Sequence, residues 1–340
     1  MAGCPVSDAA VRNLQVTLKS RPQGWVRESD FALVENDLPQ IADGEVLLKT
    51  LYLSLDPYMR GRMDEVKSYA ASVNLGDVMV GGSVSEVVES KLPNFKPGDI
   101  VVSAAGWQAY SKANSNAVMR VPPGLPPSVF LGPAGMPGVT AWMGLFDIGQ
   151  PKAGETVAVS AASGAVGSVV GQLAKEKGCR VIGIAGGPQK CAYVVETLGF
   201  DACIDYKRDG WIQALKSATP EGVDVIFENV GGEVLDQTLR RTNAKARVAL
   251  CGLIAGYNAA EPMSLHNLRV ILVNRIRLQG FIVSDDMARW PEIIRELATR
   301  VASGKLKYRE SIAQGLENAP KAFIGLLKGE NFGKQLVKVA

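Results

Sequence analysis

Residues 157–191 read VAVSAASGAVGSVVGQLAKEKGCRVIGIAGGPQKC, and this stretch decides the fold. An apolar run leads into a glycine-containing turn, which is followed by a helical stretch and then by a second apolar run. This order is typical of a β-strand, a helix and a second, parallel β-strand. The stretch therefore predicts a β-α-β unit of a doubly wound sheet.

The same rhythm continues over residues 134–305, where short apolar runs alternate with helical stretches. The further strand-like runs are ACIDY, VDVIFENV, ARVALCGL and RLQGFIV, and the helical stretches include QKCAYVVETLG, GEVLDQTLRRT and the amphipathic WPEIIRELATRVASGKL, which is expected to end near Gly304. Strands that are apolar on both faces are typical of a parallel sheet covered by helices on both sides. We predict an α/β domain with a Rossmann doubly wound parallel sheet over these residues.

Residues 1–133 have a different pattern, in which short alternating segments such as GEVLLKTLYLSLDP and GGSVSEVVES are separated by glycine and proline. This pattern favours a compact, barrel-like β domain. The final residues QLVKVA have strand character, so residues 306–340 are predicted to rejoin this first domain. Two domains also agree with a length of 340 residues, which exceeds what one hydrophobic core usually supports.

Composition and charge exclude several classes of function. The 37 Lys and Arg residues nearly balance the 34 Asp and Glu residues, and without a dense basic run a nucleic-acid surface is not expected. The N-terminus lacks the apolar stretch of a signal peptide, so we do not expect secretion. Serine and glycine interrupt the apolar residues 157–174, so we do not expect a membrane span there either. We therefore expect a cytoplasmic protein. The five cysteines lack metal-site spacing and are interpreted as structural thiols, and the single histidine, His266, has no cluster of ligands around it.

Residues 162–167, ASGAVG, match the G-x-G-x-x-G fingerprint of dinucleotide sites with alanine in the first position. Gly164 lets the backbone approach a pyrophosphate, and Gly167 allows the helix to pack closely on the strand. The N-terminus of the following helix offers free N–H groups and a positive dipole to the anion. Residues Gly164, Ala165, Val166 and Gly167 are therefore predicted to bind a dinucleotide.

The second strand of this unit lacks the acidic residue that usually binds the adenosine ribose of NAD. Gly186 and Gly187 stand in that region, and Lys190 follows. Glycine removes the repulsion that a carboxylate would exert on a 2′-phosphate, and lysine supplies a charge-assisted hydrogen bond. The sequence thus predicts NADPH as the cofactor, with the alternative that Lys190 is a solvated residue in the first turn of the next helix.

Across nearly its whole length the chain resembles the medium-chain dehydrogenase/reductase superfamily, and more narrowly its zinc-independent alkenal and enone reductases, the group of the curcumin and prostaglandin reductases. The residues that carry the resemblance are LYLSLDPYMRGRM, SAASGAVGSVVGQLAKEKGC, ENVGG, CGLIAGYN, RLQGFIV and GLENAPKAFIGLLKGENFGK. The resemblance implies a GroES-like first domain and NADPH-dependent reduction of the C=C bond of α,β-unsaturated aldehydes or ketones. It also implies a homodimer that pairs through the strand RLQGFIV.

Zinc-containing members of the superfamily hold their metal with an early cysteine and the histidine of a G-H-E segment. The comparable stretch here, GGSVSEVVES, has no histidine, and no cysteine lies between Cys4 and Cys179. We therefore expect no catalytic metal. A conjugated C=C bond can be reduced without one, because the charge spreads onto the carbonyl oxygen.

The resemblance also suggests residues for the reaction and for the cofactor. Tyr257 corresponds to a tyrosine near the nicotinamide and would donate to the enolate oxygen or relay a proton, with the alternative that it only shapes the pocket. Further pocket candidates are Tyr52, Tyr58 and Tyr69. The expected cofactor contacts beyond the glycine turn are Gly186, Lys190, Tyr206, Asn229, Cys251, Gly252, Tyr257, Phe281, Ile282, Val283 and Asn331.

Two other functions remain open from the sequence. A quinone reductase on the same scaffold would also act on a conjugated carbonyl. A protein that binds NADPH without turnover is the second alternative, because a fold does not guarantee activity.

The assignment of Lys190 to the 2′-phosphate is tested by Lys190→Ala. A charge-assisted hydrogen bond is worth about 1.5–3 kcal/mol, so the substitution is expected to weaken NADPH binding by about tenfold or more. NADH binding should stay nearly unchanged, because NADH has no 2′-phosphate. Titration of the purified protein with each coenzyme measures both affinities, and equal losses for the two would refute the assignment.

Overall fold

The computed structural model describes residues 11–340, so that residues 1–10, including Cys4, lie outside the described part of the chain. The first described strands are β1 (Asn13–Leu18), β2 (Phe31–Asn36), β3 (Glu45–Ser54), β4 (Ser83–Ser90), β5 (Ile100–Ser103), β6 (Tyr110–Asn114) and β7 (Val118–Arg120). These strands confirm the β-rich character predicted for the first part of the chain. A single-turn helix, α1 (Met59–Arg62), follows β3, and α2 (Met136–Met143) leads into the second half.

The second half contains a six-stranded parallel sheet. Its strands are β8 (Thr156–Ser160), β9 (Arg180–Ala185), β10 (Ala202–Asp205), β11 (Val223–Glu228), β12 (Thr242–Leu250) and β13 (Arg277–Gly280), in the spatial order β10-β9-β8-β11-β12-β13. Each predicted strand is present, and the order is that of a Rossmann sheet, which confirms the predicted fold class. From β8 the chain adds β9 and β10 on one side, and it then crosses to the other side of β8 to add β11, β12 and β13. Ligands of such sheets bind at this topological switch point between β8 and β11.

Helices cover both faces of the parallel sheet. They are α3 (Gly167–Glu176), α4 (Pro188–Ala192), α5 (Trp211–Ala218), α6 (Gly232–Leu239), α7 (Leu268–Asn274) and α8 (Trp290–Ala302). Alternate residues of β8 pack into two different cores, Val157 and Val159 on one side and Ala158 on the other. The three central residues of the strand are therefore all apolar, between Thr156 and Ser160 at its ends. Helix α8 ends just before Gly304, as predicted, whereas the sequence analysis did not identify α2, α5 or α7.

The C-terminal part returns to the first sheet. It contains β14 (Glu310–Gln314), α9 (Ala319–Leu327) and β15 (Lys334–Lys338). Strand β15 pairs antiparallel with β3, so the prediction that QLVKVA rejoins the first domain is confirmed. The resulting sheet has the order β14-β15-β3-β4-β5-β7, with β6 also on β3, while β1 and β2 form a separate ribbon. The domain boundaries at 1–133 with 306–340 and at 134–305 stay a prediction.

No helix within residues 11–340 is both long enough and apolar enough to cross a membrane.

Candidate active site

A cleft of about 790 Å³ opens at the carboxyl ends of the parallel strands, between that sheet and the first domain. This volume is within the range usual for small-molecule and cofactor sites. The cleft is lined by all but one of the predicted site residues: Tyr58, Tyr69, Gly164, Ala165, Val166, Gly167, Gly186, Lys190, Tyr206, Asn229, Cys251, Gly252, Tyr257, Phe281, Ile282, Val283 and Asn331. Their individual roles stay predictions.

Tyr52 is the exception, and the expectation that it lines the pocket is corrected. It lies in β3 opposite Val84 and packs against the buried cluster of Val84, Leu131 and Leu336. Successive side chains of a strand point to opposite faces. Leu53 faces the other core, Leu55 just beyond the strand reaches the cleft, and Tyr52 is directed away from it.

The glycine turn between β8 and α3 has the geometry that the fingerprint predicts. A Cβ on Gly167 would lie 2.4 Å from the carbonyl oxygen of Ala161, so a larger residue would push α3 away from the strand. A Cβ on Gly164 would lie 3.1 Å from the same oxygen. The turn thus brings the N-terminus of a ten-residue helix to the wall of the cleft. Such a helix N-terminus fits the pyrophosphate of a dinucleotide.

The adenosine end predicted from the sequence is a basic corner, in which the carboxylate of Asp205 accepts from the backbone N of Gly187 and of Lys207. A Cβ on Gly186 would lie 3.0 Å from Tyr206 Cε1 and from Lys207 Cε, so glycine is what lets these side chains lie across the end of β9. Burial, and then the nearby Lys207, lower the pKa of Lys190. Within residues 11–340, Lys190 forms no salt bridge. Two cations without a carboxylate partner fit a phosphate group.

Lys190 is held in place by the C-terminal segment. Its Nζ donates to the carbonyl oxygen of Gly329 at 2.7 Å, which leaves two of its three N–H donors for a ligand. A few residues later Gly333 forms a parallel bridge with Gly164 of the glycine turn. Asn331 lies between these contacts and donates its Nδ2 to the Gly333 oxygen at 2.7 Å. The segment 329–333 therefore touches both the turn and the basic corner.

A buried ion pair lies next to this segment, and the sequence analysis missed it. Lys334 Nζ donates to Asp56 Oδ1 at 2.6 Å and to the carbonyl oxygen of Leu55 at 2.8 Å. Ser54 Oγ donates to the other oxygen of Asp56. Both members of the pair line the cleft. They fix the end of β3, and with it the position of Tyr58 two residues further on. A lysine at the start of a strand gives no sequence signal for such a role.

Three tyrosines face the opposite part of the cleft. Burial raises the pKa of all three phenols, Tyr58, Tyr69 and Tyr257. Each phenol therefore remains protonated at neutral pH and is a hydrogen-bond donor. The Tyr257 oxygen lies 3.5 Å from the backbone N of Leu253, which is a weak interaction and leaves its O–H free. The guanidinium of Arg62 lies 5.9 Å from the ring centre of Tyr69.

Arg60 connects the loop of Tyr58 with the loop of Tyr257. This buried side chain donates from Nε to Asn258 Oδ1 at 3.0 Å, from Nη1 to Asp64 at 2.7 Å and from Nη2 to the Gly24 oxygen at 3.1 Å. Asn258 directly follows Tyr257 and belongs to the other half of the molecule. The contact spans 198 positions of the sequence and could not be identified without the tertiary structure.

Glu228 lies buried beneath the cleft at the end of β11. Its Oε1 accepts from Ser160 Oγ at 2.9 Å, from Val230 N at 2.6 Å and from Gly231 N at 2.7 Å, while Oε2 has no partner among the described residues. Burial raises the pKa of Glu228 to about 7. The neighbouring Asn229 donates to the Ser160 oxygen at 2.8 Å, so these contacts shape the turn that carries Asn229 into the cleft.

The donors in the cleft do not fit a zinc ion. Among the described residues that line the cleft, Cys251 is the only cysteine and none is a histidine, so the further nitrogen and sulfur ligands of a zinc site are missing there. His266 is exposed and does not line the cleft. Residues 11–340 contain no group of three or more His, Cys, Asp or Glu side chains arranged for a metal. No chemical step is therefore derived through zinc.

Comparisons with known proteins agree with this site. A family model described as the N-terminal domain of oxidoreductase matches residues 14–121, and one described as zinc-binding dehydrogenase matches residues 165–299. The chain is 50% identical to the NADPH-dependent curcumin reductase of Escherichia coli, with 97% of each chain covered. It is 45% identical to prostaglandin reductase 1 of Bos taurus, over 95% of this chain and 98% of that one. The crystal structure of CurA from Vibrio vulnificus with NADPH has 49% identity and a TM-score of 0.92, over 96% of this chain and 99% of that one.

Glu228 generates a prediction about stability and pH. Because its pKa rises from an ordinary 4.5 to about 7 on folding, its stabilising contribution is full below pH 4.5 and is lost as the pH rises through 7. Glu228→Gln cannot ionise. Between pH 5 and 8 the free energy of unfolding of the variant, relative to wild type, should therefore increase by up to about 3 kcal/mol. Urea denaturation at several pH values measures this difference.

The exposed Glu233→Gln, in the first turn of α6, is the matched control and should follow the wild-type pH profile. The difference in fit between an amide and a carboxylic acid is the same at every pH, so the slope of the stability with pH is the readout rather than the absolute stability. Parallel profiles for wild type and Glu228→Gln would contradict the prediction.

Proposed function

The chain belongs to the medium-chain dehydrogenase/reductase superfamily, and from that premise we propose that it is an NADPH-dependent reductase of the C=C bond in α,β-unsaturated aldehydes and ketones. One observation carries the proposal: a single cleft joins a glycine turn and an unpaired basic corner to a group of protonated tyrosines. The first pair of features suits a phosphorylated dinucleotide, and the tyrosines suit a carbonyl substrate. Two relatives, at 50% and 45% identity, are named NADPH-dependent curcumin reductase and prostaglandin reductase 1, which supports this proposal.

The proposed cofactor contacts follow the cleft from one end to the other. Lys190, Tyr206 and Lys207 would hold the 2′-phosphate beside Gly186, and residues 164–167 would hold the pyrophosphate. The nicotinamide half would lie among Asn229, Cys251, Gly252, Tyr257, Phe281, Ile282, Val283 and Asn331. NADPH, when bound, supplies the hydride that is added to the β-carbon of the substrate.

The protein's own contribution is to stabilise the negative charge that develops on the substrate's carbonyl oxygen. Tyr257 would donate its O–H to that oxygen, with Tyr58 and Tyr69 as neighbouring donors. Because burial raises the pKa of each phenol, these groups stay neutral and donate hydrogen bonds without introducing a charge into the cleft. A preorganised donor in a largely apolar site is an effective way to lower the barrier of such a step.

We also propose a cytoplasmic homodimer. Strand β13 is an edge of the parallel sheet and, within residues 11–340, pairs only with β12. An unpaired edge is a template for a second copy. The neighbouring α7 exposes Leu268, Leu272 and Val273, of which Leu272 is 78% accessible. Cys179, Cys191, Cys203 and Cys251 are free thiols, which agrees with a reducing compartment.

The function is tested by following NADPH consumption with trans-2-nonenal, a curcuminoid and a naphthoquinone. We expect turnover of the first two with reduction of the C=C bond, identified by mass spectrometry and NMR of the product. Turnover of the naphthoquinone alone would support a quinone reductase instead. Consumption with none of the three would favour a protein that binds NADPH without catalysis.

Tyr257→Phe tests the proposed donor within the same assay. Removal of the hydroxyl should lower kcat on the enone by about a hundredfold, which is the usual size of such an effect. Tyr52→Phe is the matched control, because Tyr52 lies outside the cleft, and it should keep wild-type kcat. A fully active Tyr257→Phe would show that the hydroxyl is dispensable.

The dimer is tested by sedimentation of Leu272→Asp. A charge on the exposed face of α7 should dissociate the dimer, so the sedimenting mass should fall from that of two chains to that of one chain. Leu75→Asp places the same charge at a Leu that is also exposed, at 56%, but lies in the first half of the chain, and it should remain dimeric. A wild-type protein that sediments as one chain would overturn the proposal.

A further inference from the structure

Two cysteines lie side by side behind the basic corner of the cleft. Cys203 Sγ donates to Cys191 Sγ, and the two sulfur atoms are 3.1 Å apart. Both side chains are half-buried, and both are free thiols. A disulfide bond is about 2.05 Å long, so bond formation would bring the sulfur atoms only about 1 Å closer. The pair is therefore close to the geometry of a disulfide while it is reduced.

The two cysteines belong to the elements that carry the 2′-phosphate contacts. Cys191 lies in α4 directly after Lys190, and Cys203 lies in β10 three residues before Tyr206. A second contact joins the same elements, because Asp205 Oδ1 accepts from the backbone N of Gly187 at 2.8 Å. Any change in the distance between the sulfur atoms is consequently transmitted to the side chains that form the basic corner.

We propose that Cys191 and Cys203 form a reversible dithiol–disulfide pair that reacts with low-molecular-weight disulfides of the glutathione type, and that the disulfide state binds NADPH more weakly. This modification site lies outside the proposed chemistry at Tyr257. Disulfide formation does not depend on the proposed function, whereas its coupling to the cofactor rests on NADPH binding at Lys190.

Cys191 is the attacking thiol. The S–H that it accepts from Cys203 lowers its pKa, which favours the thiolate. Its sulfur attacks glutathione disulfide, so that one S–S bond breaks, a mixed disulfide forms and one glutathione leaves as a thiol with the proton of Cys191. Cys203 then attacks the mixed disulfide, and the second glutathione leaves with the proton of Cys203. Two protein thiols are oxidised, and one glutathione disulfide is reduced to two thiols.

The coupling follows from the position of Lys190. Closure draws α4 and β10 together by up to about 1 Å, so Lys190, which directly precedes Cys191, is displaced from the position in which its Nζ contacts the Gly329 oxygen. The loss of one charge-assisted contact with the phosphate is expected to weaken NADPH binding about tenfold. NADH lacks the phosphate and should be affected little. By thermodynamic linkage, bound NADPH must shift the disulfide equilibrium towards the thiols by the same factor.

The test uses the full-length protein equilibrated with mixtures of reduced and oxidised glutathione. Peptide mass spectrometry after thiol blocking should find a disulfide that links Cys191 to Cys203. Titration of the oxidised protein should give a Kd for NADPH about tenfold higher than that of the reduced protein, with little change for NADH, and dithiothreitol should restore the original value. Saturating NADPH should make the disulfide about tenfold harder to form at equilibrium.

The variants Cys191→Ser and Cys203→Ala should bind NADPH as the reduced protein does and should lose the response to oxidised glutathione. Cys179→Ser is the matched control, because Cys179 donates to the Lys152 oxygen at 3.3 Å and has no thiol partner within residues 11–340, and this variant should keep the response. Cys191 and Cys203 that remain free, or a disulfide that leaves the NADPH affinity unchanged, would overturn the proposal. A reduced protein that does not bind NADPH would refute the proposed function instead, and the peptide readout would be unaffected.

Discussion

The backbone contact between Gly333 and Gly164 is the constraint on which the cleft depends. Gly333 has a φ of +79°, and a Cβ there would lie 2.0 Å from the carbonyl oxygen of Arg309, so glycine alone lets the chain reach the glycine turn. The next residue, Lys334, forms the buried ion pair with Asp56. Because these two contacts are adjacent in the chain, they set the separation between the glycine turn and the loop of Tyr58, and therefore the width of the cleft.

The two ends of the cleft differ in their electrostatics, and this difference agrees with the proposed reaction. Lys190 and Lys207 provide positive charge at one end, without a carboxylate partner for Lys190 in the described chain. At the other end the donors are phenols that burial keeps neutral. The 2′-phosphate of the cofactor would thus lie away from the position where charge develops, and an uncharged substrate would meet donors that require no counter-ion.

Asp205 shows how the adenosine end avoids an acid in the binding position. The carboxylate lies at the end of β10, and its Oδ1 accepts from the backbone N of Gly187 and of Lys207. It therefore organises the turn between β9 and α4. The same turn is bordered by Cys191 and Cys203, so a movement between α4 and β10 would change the surroundings of Lys190.

The sequence by itself determined the parallel sheet and the glycine turn, because periodicity and local glycine chemistry act over a few residues. The tyrosines and the nicotinamide-side residues of the cleft were expected only from the resemblance to known reductases. The expectation that Tyr52 lines the cleft was misleading, because the direction of this side chain depends on strand alternation and on what covers each face of β3. Only the tertiary structure decided the contacts of Arg60 with Asn258, of Lys334 with Asp56 and of Cys191 with Cys203. Each joins residues of different elements, and no local pattern encodes which elements meet.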